Sequence, residues 1–285
     1  MDYTNCRLCP RECGANRTAG ETGFCGCPAT ALVAKAMLHM WEEPVLAGSG
    51  GSGAVFFGGC TLGCQYCQNA AISGEPVGKP TDSAGLRRIF EDLIAQGAEN
   101  IDLVTPTQYL PTILPALEPK LPVPVVCNCG GYERVETLRE LAGKIDIYLP
   151  DLKYADGTLA ASLSGAPDYF PRAKDAIREM ARQTGAPQWQ GEKLLRGTVI
   201  RHLILPGHVE NSLRVLDWIG ENFAPGQVLV SLMRQYTPMG KLPAPFDRRV
   251  TEEEYQAVLS WMFLNGLEGF TQEPESADQG FIPDF

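Results

Sequence analysis

The sequence predicts an α/β protein in which six strand–helix units form a partial barrel behind a cysteine-rich N-terminal extension. Three observations lead to this fold class. Strand patterns alternate with helix patterns from residue 54 onwards, half of the ten cysteines fall within the first 50 residues, and a chain of 285 residues that is 44% hydrophobic can bury a large core. Strands that alternate with helices lie parallel in one sheet, and six units are fewer than the eight that close a barrel.

Short apolar runs bounded by glycine, proline or polar residues predict the six strands. They are Ala54–Phe57, Ile101–Val104, Val123–Cys127, Ile145–Leu149, Thr198–Leu205 and Gln227–Met233. Cys127 and Cys129 lie at the end of the third strand, and we expect only one of them, Cys129, to face the barrel interior.

Helical periodicity predicts the connecting elements. The clearest helix is Ser83–Gln96, because its apolar residues fall on one face and Gly97 follows its last turn. The other helices are predicted at Leu110–Ala116, Glu133–Ala142, Tyr169–Gln183, Asn211–Asn222 and Thr251–Leu264. In the last of these, Thr251 and Glu254 have the spacing of a capping box.

The chain divides into three segments by composition. Residues 1–50 form a cysteine-rich metal-binding segment, residues 51–240 form the partial barrel, and residues 241–285 form a C-terminal helical extension with an acidic, solvated tail. The run GSGGSG at 48–53 is either a flexible linker or a turn that lets the backbone approach a ligand. We expect this run and both outer segments to shape the mouth of the site.

Charge and apolar patterning exclude several classes of function. The net charge of −10 and the pI near 4.9 argue against binding of a nucleic-acid backbone as the main activity. The longest apolar runs are shorter than the roughly 18 residues of a membrane span. The first residues do not have an apolar stretch behind a basic end, so we do not expect a signal peptide there. We therefore expect a cytoplasmic protein with reduced thiols that bind metal, rather than a disulfide-bonded one.

The segment FFGGCTLGCQYCQN carries the strongest functional signal. It holds Cys60, Cys64 and Cys67 in a loop after the first barrel strand, and its glycines let the backbone turn tightly. Three thiolates that hold a four-iron cluster leave one iron open, which a catalytic centre needs. A zinc site or three separate buried thiols are the alternatives.

Five further cysteines precede the barrel at Cys6, Cys9, Cys13, Cys25 and Cys27. Four of them would be enough for an auxiliary iron–sulfur cluster or for tetrahedral zinc. Unligated reduced thiols are the third interpretation, and the spacing leaves all three open.

The cysteine loop, with Tyr66 before its last cysteine, resembles the signature of the radical S-adenosylmethionine enzymes. Within that superfamily the chain resembles the pyruvate formate-lyase activating enzyme group, and above all its relatives with an N-terminal cysteine segment. The matching stretches are FFGGCTLGCQYCQN, VTPTQYLP, NCGGYE, DIYLPDLKY, RHLILPGH and SLMRQYTPMG, which span about residues 56 to 240.

The resemblance implies a TIM-like (β/α)6 barrel, an oxygen-sensitive [4Fe-4S] cluster held by Cys60, Cys64 and Cys67, and S-adenosyl-L-methionine bound at the open iron. One electron from a low-potential donor, such as flavodoxin or ferredoxin, would cleave this cofactor to methionine and a 5′-deoxyadenosyl radical. The radical would abstract hydrogen from a substrate. Such an oxidoreductase belongs to anaerobic metabolism.

The resemblance also assigns further residues to cofactor binding. Tyr66 matches an aromatic residue near the adenine. The remaining positions are Thr105, Thr107, Asn128, Cys129, Asp151, Lys153, Arg201 and Gln235. Two stretches depart from the family pattern: Asn128 and Cys129 replace an Asp-Thr pair, and Thr105 and Thr107 stand where many relatives carry a Gly-Gly-Glu turn.

Three functions remain as hypotheses. The first is an activase that abstracts hydrogen from a glycine of a partner glycyl-radical enzyme. The second is radical modification of another peptide, protein or small molecule with the help of an auxiliary N-terminal metal site. The third is a metal-binding or electron-carrying module without catalysis.

Overall fold

The computed structural model describes residues 1–239 and 242–272. Its ten strands are β1 (Ala31–His39), β2 (Ser52–Phe57), β3 (Lys79–Thr81), β4 (Ile101–Val104), β5 (Val125–Cys129), β6 (Ile147–Pro150), β7 (Gln188–Gln190), β8 (Lys193–Leu203), β9 (Leu229–Met233) and β10 (Gly269–Thr271). Its α-helices are α1 (Pro44–Ala47), α2 (Ala70–Ser73), α3 (Ser83–Ala95), α4 (Leu110–Ala116), α5 (Val135–Arg139), α6 (Gly157–Ser164), α7 (Tyr169–Thr184), α8 (Val209–Asn222) and α9 (Glu252–Leu264).

The six predicted strands are confirmed as the parallel core of one open sheet. Strands β2, β4, β5, β6, β8 and β9 follow one another in this order and pair in parallel, as crossover connections require. The sheet does not close into a ring among the described residues, in agreement with a partial barrel. No described helix is long and apolar enough to span a membrane.

Both edges of the sheet carry strands that periodicity did not predict. At one edge, β1 pairs antiparallel with β2 and β3 pairs antiparallel with β1, so part of the N-terminal segment extends the barrel sheet. At the other edge, β10 pairs in parallel with β9. Away from the edges, β7 forms a short antiparallel hairpin with β8 outside this strand order. The acidic tail after residue 272 lies outside the described residues.

Alternation along the strands separates the barrel interior from the layer beneath the helices. On β5, Val126 belongs to the interior cluster and Asn128 points into the same space, whereas Cys127 and Cys129 both pack in the helix-side core. The expectation that Cys129 faces inwards while Cys127 does not is therefore wrong. Residues two apart on a strand share a face, and the residue between them faces the other way.

The amino ends of the barrel strands are closed by the segment that joins β1 to β2. Leu46 of α1 packs into the apolar cluster at the bottom of the barrel with Ile147 and Val199. The glycine run that follows is packed against the start of β4, because a Cβ on Gly50 would lie 2.3 Å from the Gly97 carbonyl oxygen. The run is therefore neither a flexible linker nor part of the mouth at the carboxyl ends.

Candidate active site

The three loop cysteines line one cavity at the carboxyl ends of the barrel strands. The cavity has a volume of about 250 Å³, and its walls include almost all of the cofactor-binding residues expected from the sequence. These are Tyr66, Thr105, Asn128, Cys129, Asp151, Lys153, Arg201 and Gln235. The fold thus gathers into one space residues that are up to 175 positions apart in the sequence.

Each sulfur of the loop accepts a hydrogen bond from a different part of the chain. The Leu62 N–H lies 3.4 Å from the Cys60 sulfur, the Ser164 hydroxyl lies 3.1 Å from the Cys64 sulfur, and the Ser73 hydroxyl lies 3.3 Å from the Cys67 sulfur. Such donors stabilise negative charge on sulfur.

Burial raises the pKa of the Cys60 thiol to about 12, and the neighbouring Cys64 adds to this effect. Without a cation this thiol therefore keeps its proton, and metal binding must displace that proton.

The donor set fits an iron–sulfur cluster. Three cysteine sulfurs that share one cavity are soft ligands, and a cluster binds each of them through a separate iron. Among the described residues, no three histidine, cysteine or carboxylate side chains converge on one point where a single ion could sit.

The side chains of Arg11, in the N-terminal segment, and of Gln108 hydrogen-bond to the backbone of the cysteine loop. The Arg11 guanidinium donates hydrogen bonds to the carbonyl oxygens of Thr61 and Leu62, at 3.2 and 3.3 Å, and it stacks on the Phe24 ring at 3.7 Å. The Gln108 amide donates to the carbonyl oxygens of Gly58 and Gly59, at 3.3 and 3.1 Å. These contacts fix the backbone on either side of Cys60.

A buried charge network forms part of the cavity wall. Arg201 donates from Nε to Asp151 Oδ1 at 2.9 Å and from Nη2 to Asn128 Oδ1 at 2.6 Å, and Lys153 Nζ lies 2.5 Å from Asp151 Oδ2. Burial alone would raise the pKa of Asp151, but Arg201 and Lys153 outweigh it and hold this pKa below its usual value. The Asp-Leu-Lys motif is therefore a buried wall of the cavity rather than a surface ion pair.

Three carboxyl groups beneath this network were missed by the sequence reasoning. Glu42 lies 3.6 Å from Arg201, and Glu43 accepts a hydrogen bond of 2.7 Å from the Ser231 hydroxyl. Asp102 accepts a hydrogen bond of 3.3 Å from the Asn128 amide.

Glu42, Glu43 and Asp102 form an acidic floor, and two of these carboxyl groups have raised pKa values. Burial and the Glu42 charge raise the pKa of Asp102 well above its usual value, and the same two causes raise that of Glu43 to about 7. An acidic residue inside an otherwise apolar strand, such as Asp102 in IDLV, is the signal that could have found this floor.

Two expected cofactor residues take other places. The Thr107 side chain does not line the cavity, because its hydroxyl donates to Glu133 at 2.7 Å in a buried pair. Thr105 does line it, in a left-handed conformation with φ of 56°. Cys129 contributes to the cavity edge, but its thiol is held in the helix-side core beside Cys127.

Tyr66 lies in a group of aromatic rings at the cavity. Its hydroxyl accepts a hydrogen bond of 2.8 Å from Tyr154, and its ring centre lies 5.9 Å from that of Tyr236. The ring is thus held in a fixed orientation next to the loop cysteines.

The fold collects four of the five N-terminal cysteines behind the cysteine loop. Cys6, Cys9 and Cys27 are buried and Cys25 is half-buried, whereas Cys13 is exposed. This second thiol group does not line the cavity that holds Cys60, Cys64 and Cys67.

Comparisons with known proteins agree with this geometry. Residues 46–105, which include the cysteine loop, match the family of 4Fe-4S single cluster domains. The chain is 30% identical to the uncharacterized protein MJ0674 of Methanocaldococcus jannaschii over 275 residues, which cover 90% of this chain and 74% of the relative.

Solved structures share the fold at low identity. Streptococcus suis SuiB bound to precursor peptide SuiA is 15% identical, with a TM-score of 0.53 over 76% of this chain and 47% of SuiB. SuiB bound to S-adenosylmethionine has the same TM-score and identity, over 76% of this chain and 49% of SuiB. A radical SAM methyltransferase from Sphaerobacter thermophilus is 15% identical, with a TM-score of 0.52 over 77% of this chain and 65% of that enzyme. The chain spans about half the length of SuiB.

The chain belongs to the same family as the M. jannaschii protein. Its residues 46–105 match 4Fe-4S single cluster domains, and its fold is shared by SuiB, which has been solved with S-adenosylmethionine bound, and by a radical SAM methyltransferase.

Proposed function

We propose that this chain is a radical S-adenosylmethionine enzyme that abstracts hydrogen from a glycine of a partner glycyl-radical enzyme. A cluster held by Cys60, Cys64 and Cys67 would supply the electron that splits S-adenosylmethionine into methionine and a 5′-deoxyadenosyl radical. The observation that carries this proposal is the single cavity that the three thiols share with the ion network around Arg201.

The charge network suits the methionine end of the cofactor. Lys153 and Arg201 present cationic groups to the cavity, which can bind the methionine carboxylate. Asp151 and Glu42 line the same cavity, and their carboxylates can bind the amino group or face the sulfonium. Because the ion pairs are already formed and buried, these groups need little reorganisation when the cofactor binds.

Apolar side chains complete the cavity and help it exclude water. Leu62, Val104, Leu203 and Met233 line it together with the Tyr66 ring. A reactive carbon radical requires such a lining, since exclusion of solvent prevents side reactions. This chain would therefore orient the cofactor with charges on one wall and protect the reacting atoms with apolar groups on the others.

A protein substrate needs a path into the cavity, and we propose that this path runs past Trp41. This residue lies between β1 and β2, lines the cavity and has 65% of its surface exposed. An extended glycine-containing segment of a partner could enter there. This exposed position supports a protein or peptide as the substrate.

Modification of another peptide, protein or small molecule is the second candidate. The thiol group directly behind the cysteine loop favours it, because an auxiliary metal site beside the cluster would serve such chemistry. SuiB, whose fold is similar, has been solved with a precursor peptide bound.

Cofactor cleavage tests the shared part of both candidates. The chain is purified without air, supplied with iron and sulfide, and given S-adenosylmethionine with dithionite. We expect 5′-deoxyadenosine from the wild type and from Cys127→Ala, which removes a buried thiol on the helix side of β5. The Cys60→Ala, Cys64→Ala and Cys67→Ala variants should form none. Intact S-adenosylmethionine with the wild-type protein would refute the proposal.

Isotope transfer then separates the two candidates. A glycyl-radical enzyme encoded near this gene is prepared with deuterated glycine and added to the reaction. Deuterium in 5′-deoxyadenosine together with a glycyl-radical electron paramagnetic signal is the expected result. Cofactor cleavage without either signal, for every such partner, would favour the second candidate.

A further inference from the structure

Four N-terminal thiols form a compact group that the catalytic cavity does not include. Cys6, Cys9 and Cys27 are buried and Cys25 is half-buried, and the Cys27 sulfur lies 3.3 Å from the Cys25 carbonyl oxygen. Cys13 differs from these four in being exposed; its sulfur lies 3.8 Å from the Cys6 carbonyl oxygen and packs against Gly23, where an added Cβ would lie 2.2 Å from it.

Tight backbone turns create this group. The N–H of Cys6 donates to the Ala15 carbonyl and the N–H of Gly14 donates to the Cys6 carbonyl, each at 3.0 Å, so the segment between them folds back on itself. A second turn, over residues 23–26, is closed by a hydrogen bond of 3.0 Å from the Gly26 N–H to the Gly23 carbonyl; it contains Cys25, and Cys27 follows it directly. Each turn presents two of the four thiols.

A buried arginine without an acidic partner lies against the Cys6 thiol. Only 3% of the Arg17 surface is exposed, and its guanidinium donates to the carbonyl oxygens of Cys27, Gln108 and Pro28. It also reaches the Cys6 sulfur at 3.8 Å. In residues 1–239 and 242–272, no carboxylate forms an ion pair with Arg17. A buried cation of this kind is stabilised by negative charge nearby, and a thiolate at Cys6 would supply it.

A buried hydroxyl supplies an independent observation. Tyr109 is fully buried, its hydroxyl has no hydrogen-bond partner within the described part of the chain, and it lies next to the Cys27 thiol. A buried hydroxyl without a hydrogen-bond partner is destabilising, and a metal-bound thiolate can accept a hydrogen bond from it. Tyr109 and Arg17 thus both point to negative charge on these sulfurs.

We propose that Cys6, Cys9, Cys25 and Cys27 hold a second metal centre as four thiolates, with Arg17 as its buried counter-ion. This centre is a [4Fe-4S] cluster rather than zinc, because no three of the described side chains converge on one point where a single ion could sit, whereas a cluster binds each thiolate through a separate iron. With four thiolates it carries roughly two excess negative charges. Arg17 neutralises part of that charge, and the Tyr109 hydroxyl donates to the Cys27 sulfur.

The second centre would lie directly behind the catalytic loop. The Cys27 sulfur is 3.6 Å from the Gly58 carbonyl oxygen, and a Cβ on Gly59 would lie 2.3 Å from that sulfur. Gly58 and Gly59 immediately precede Cys60, so a metal that fixes Cys27 also fixes the backbone that positions the catalytic thiols.

Metal content in a chain without the catalytic thiols tests this proposal independently of cofactor cleavage. The Cys60→Ala/Cys64→Ala/Cys67→Ala variant is purified without air, and its iron and zinc are measured. About four irons per chain are expected. Zinc in place of iron, or less than about a tenth of this amount of iron, would overturn the proposal.

Two further variants on this background locate the ligands. Adding Cys9→Ser with Cys27→Ser should remove the metal, whereas adding Cys13→Ser, the matched control, should leave it in place. Retention of metal after the double substitution, or its loss with Cys13→Ser alone, would contradict the assigned set of four. The triple variant by itself decides whether a second metal is present, even if a further substitution prevents folding.

Discussion

Arg201 and Asp151 pair twice, through a side-chain hydrogen bond of 2.9 Å between Nε and Oδ1 and through a backbone bridge between neighbouring strands. The same guanidinium faces Glu42 and Asn128, so one buried cation joins three acidic or amide side chains at the cavity wall. The position of this wall therefore depends on the single positive charge of Arg201.

We predict that Arg201→Met lowers the free energy of unfolding by about 3 kcal/mol, because it leaves buried carboxylates without their cation. Urea unfolding of the wild type and the variant measures this loss. Arg172→Met is the control, since its ion pair with Asp168 lies at the surface, where loss of a pair costs less than about 1 kcal/mol. Equal losses for both variants would show that the Arg201 network does not stabilise the barrel.

Replacement by asparagine should change the free energy of unfolding little at Asp102 and much more at Asp151. Burial raises the pKa of Asp102 well above its usual value, so its side chain is already neutral and Asp102→Asn should change stability by less than about 1 kcal/mol. Asp151 is charged and paired with Arg201 and Lys153, so Asp151→Asn should cost about 3 kcal/mol. Thermal unfolding of the two variants measures both values, and a larger loss for Asp102→Asn would refute this assignment of charge.

His202 should make stability depend on pH. Its ring is buried between the Leu152 carbonyl and the Ser212 hydroxyl, and burial lowers its pKa to about 4. The unfolded chain binds the proton first, so the free energy of unfolding should decrease as pH falls from about 6.5 towards about 4, by up to about 3 kcal/mol. Above pH 6.5 this contribution is constant.

Chemical unfolding at a series of pH values tests this dependence in the wild type and in His202→Gln, which cannot titrate. His208→Gln controls for the loss of a histidine as such. A wild-type curve with the same slope as that of His202→Gln would exclude His202 as the source.

Gly59→Ala should destabilise the protein more than the same substitution at Gly97, because Gly59 lies in the cysteine loop. Gly59 has a φ of 77°, and its added Cβ would lie 2.3 Å from the Cys27 sulfur. Gly97 has a φ of 103° and open space around it, so Gly97→Ala carries only the backbone strain, about 1 kcal/mol. In Gly59→Ala we expect the clash to lower the free energy of unfolding by roughly 1 to 3 kcal/mol beyond the loss from backbone strain.

Iron incorporation should fall in Gly59→Ala as well, and remain at the wild-type level in Gly97→Ala. Iron content and the free energy of unfolding are both measured on protein purified without air. Similar iron content and stability in the two variants would mean that Cys27 does not constrain the loop.

The barrel strands and the cysteine loop could be predicted because their signals are local. Runs such as Ile101–Val104 show strand character within a few residues, and Cys60, Cys64 and Cys67 lie within eight positions of one another. Strand β1 was missed because its partner β2 is a nonlocal neighbour and its own pattern, ALVAKAMLH, does not alternate strictly. The face of Cys129 was misassigned although simple alternation from Cys127 could have settled it.

The sequence by itself determined the six parallel strands and the three cysteines of the loop, because spacing along one segment decides both. Only the tertiary structure placed Glu42 beside Arg201, excluded Thr107 from the cavity, and separated Cys13 from the other four N-terminal cysteines. The physical reason is that these relations join elements far apart in the chain, where burial and charge pairing decide the contacts and residue spacing carries no signal.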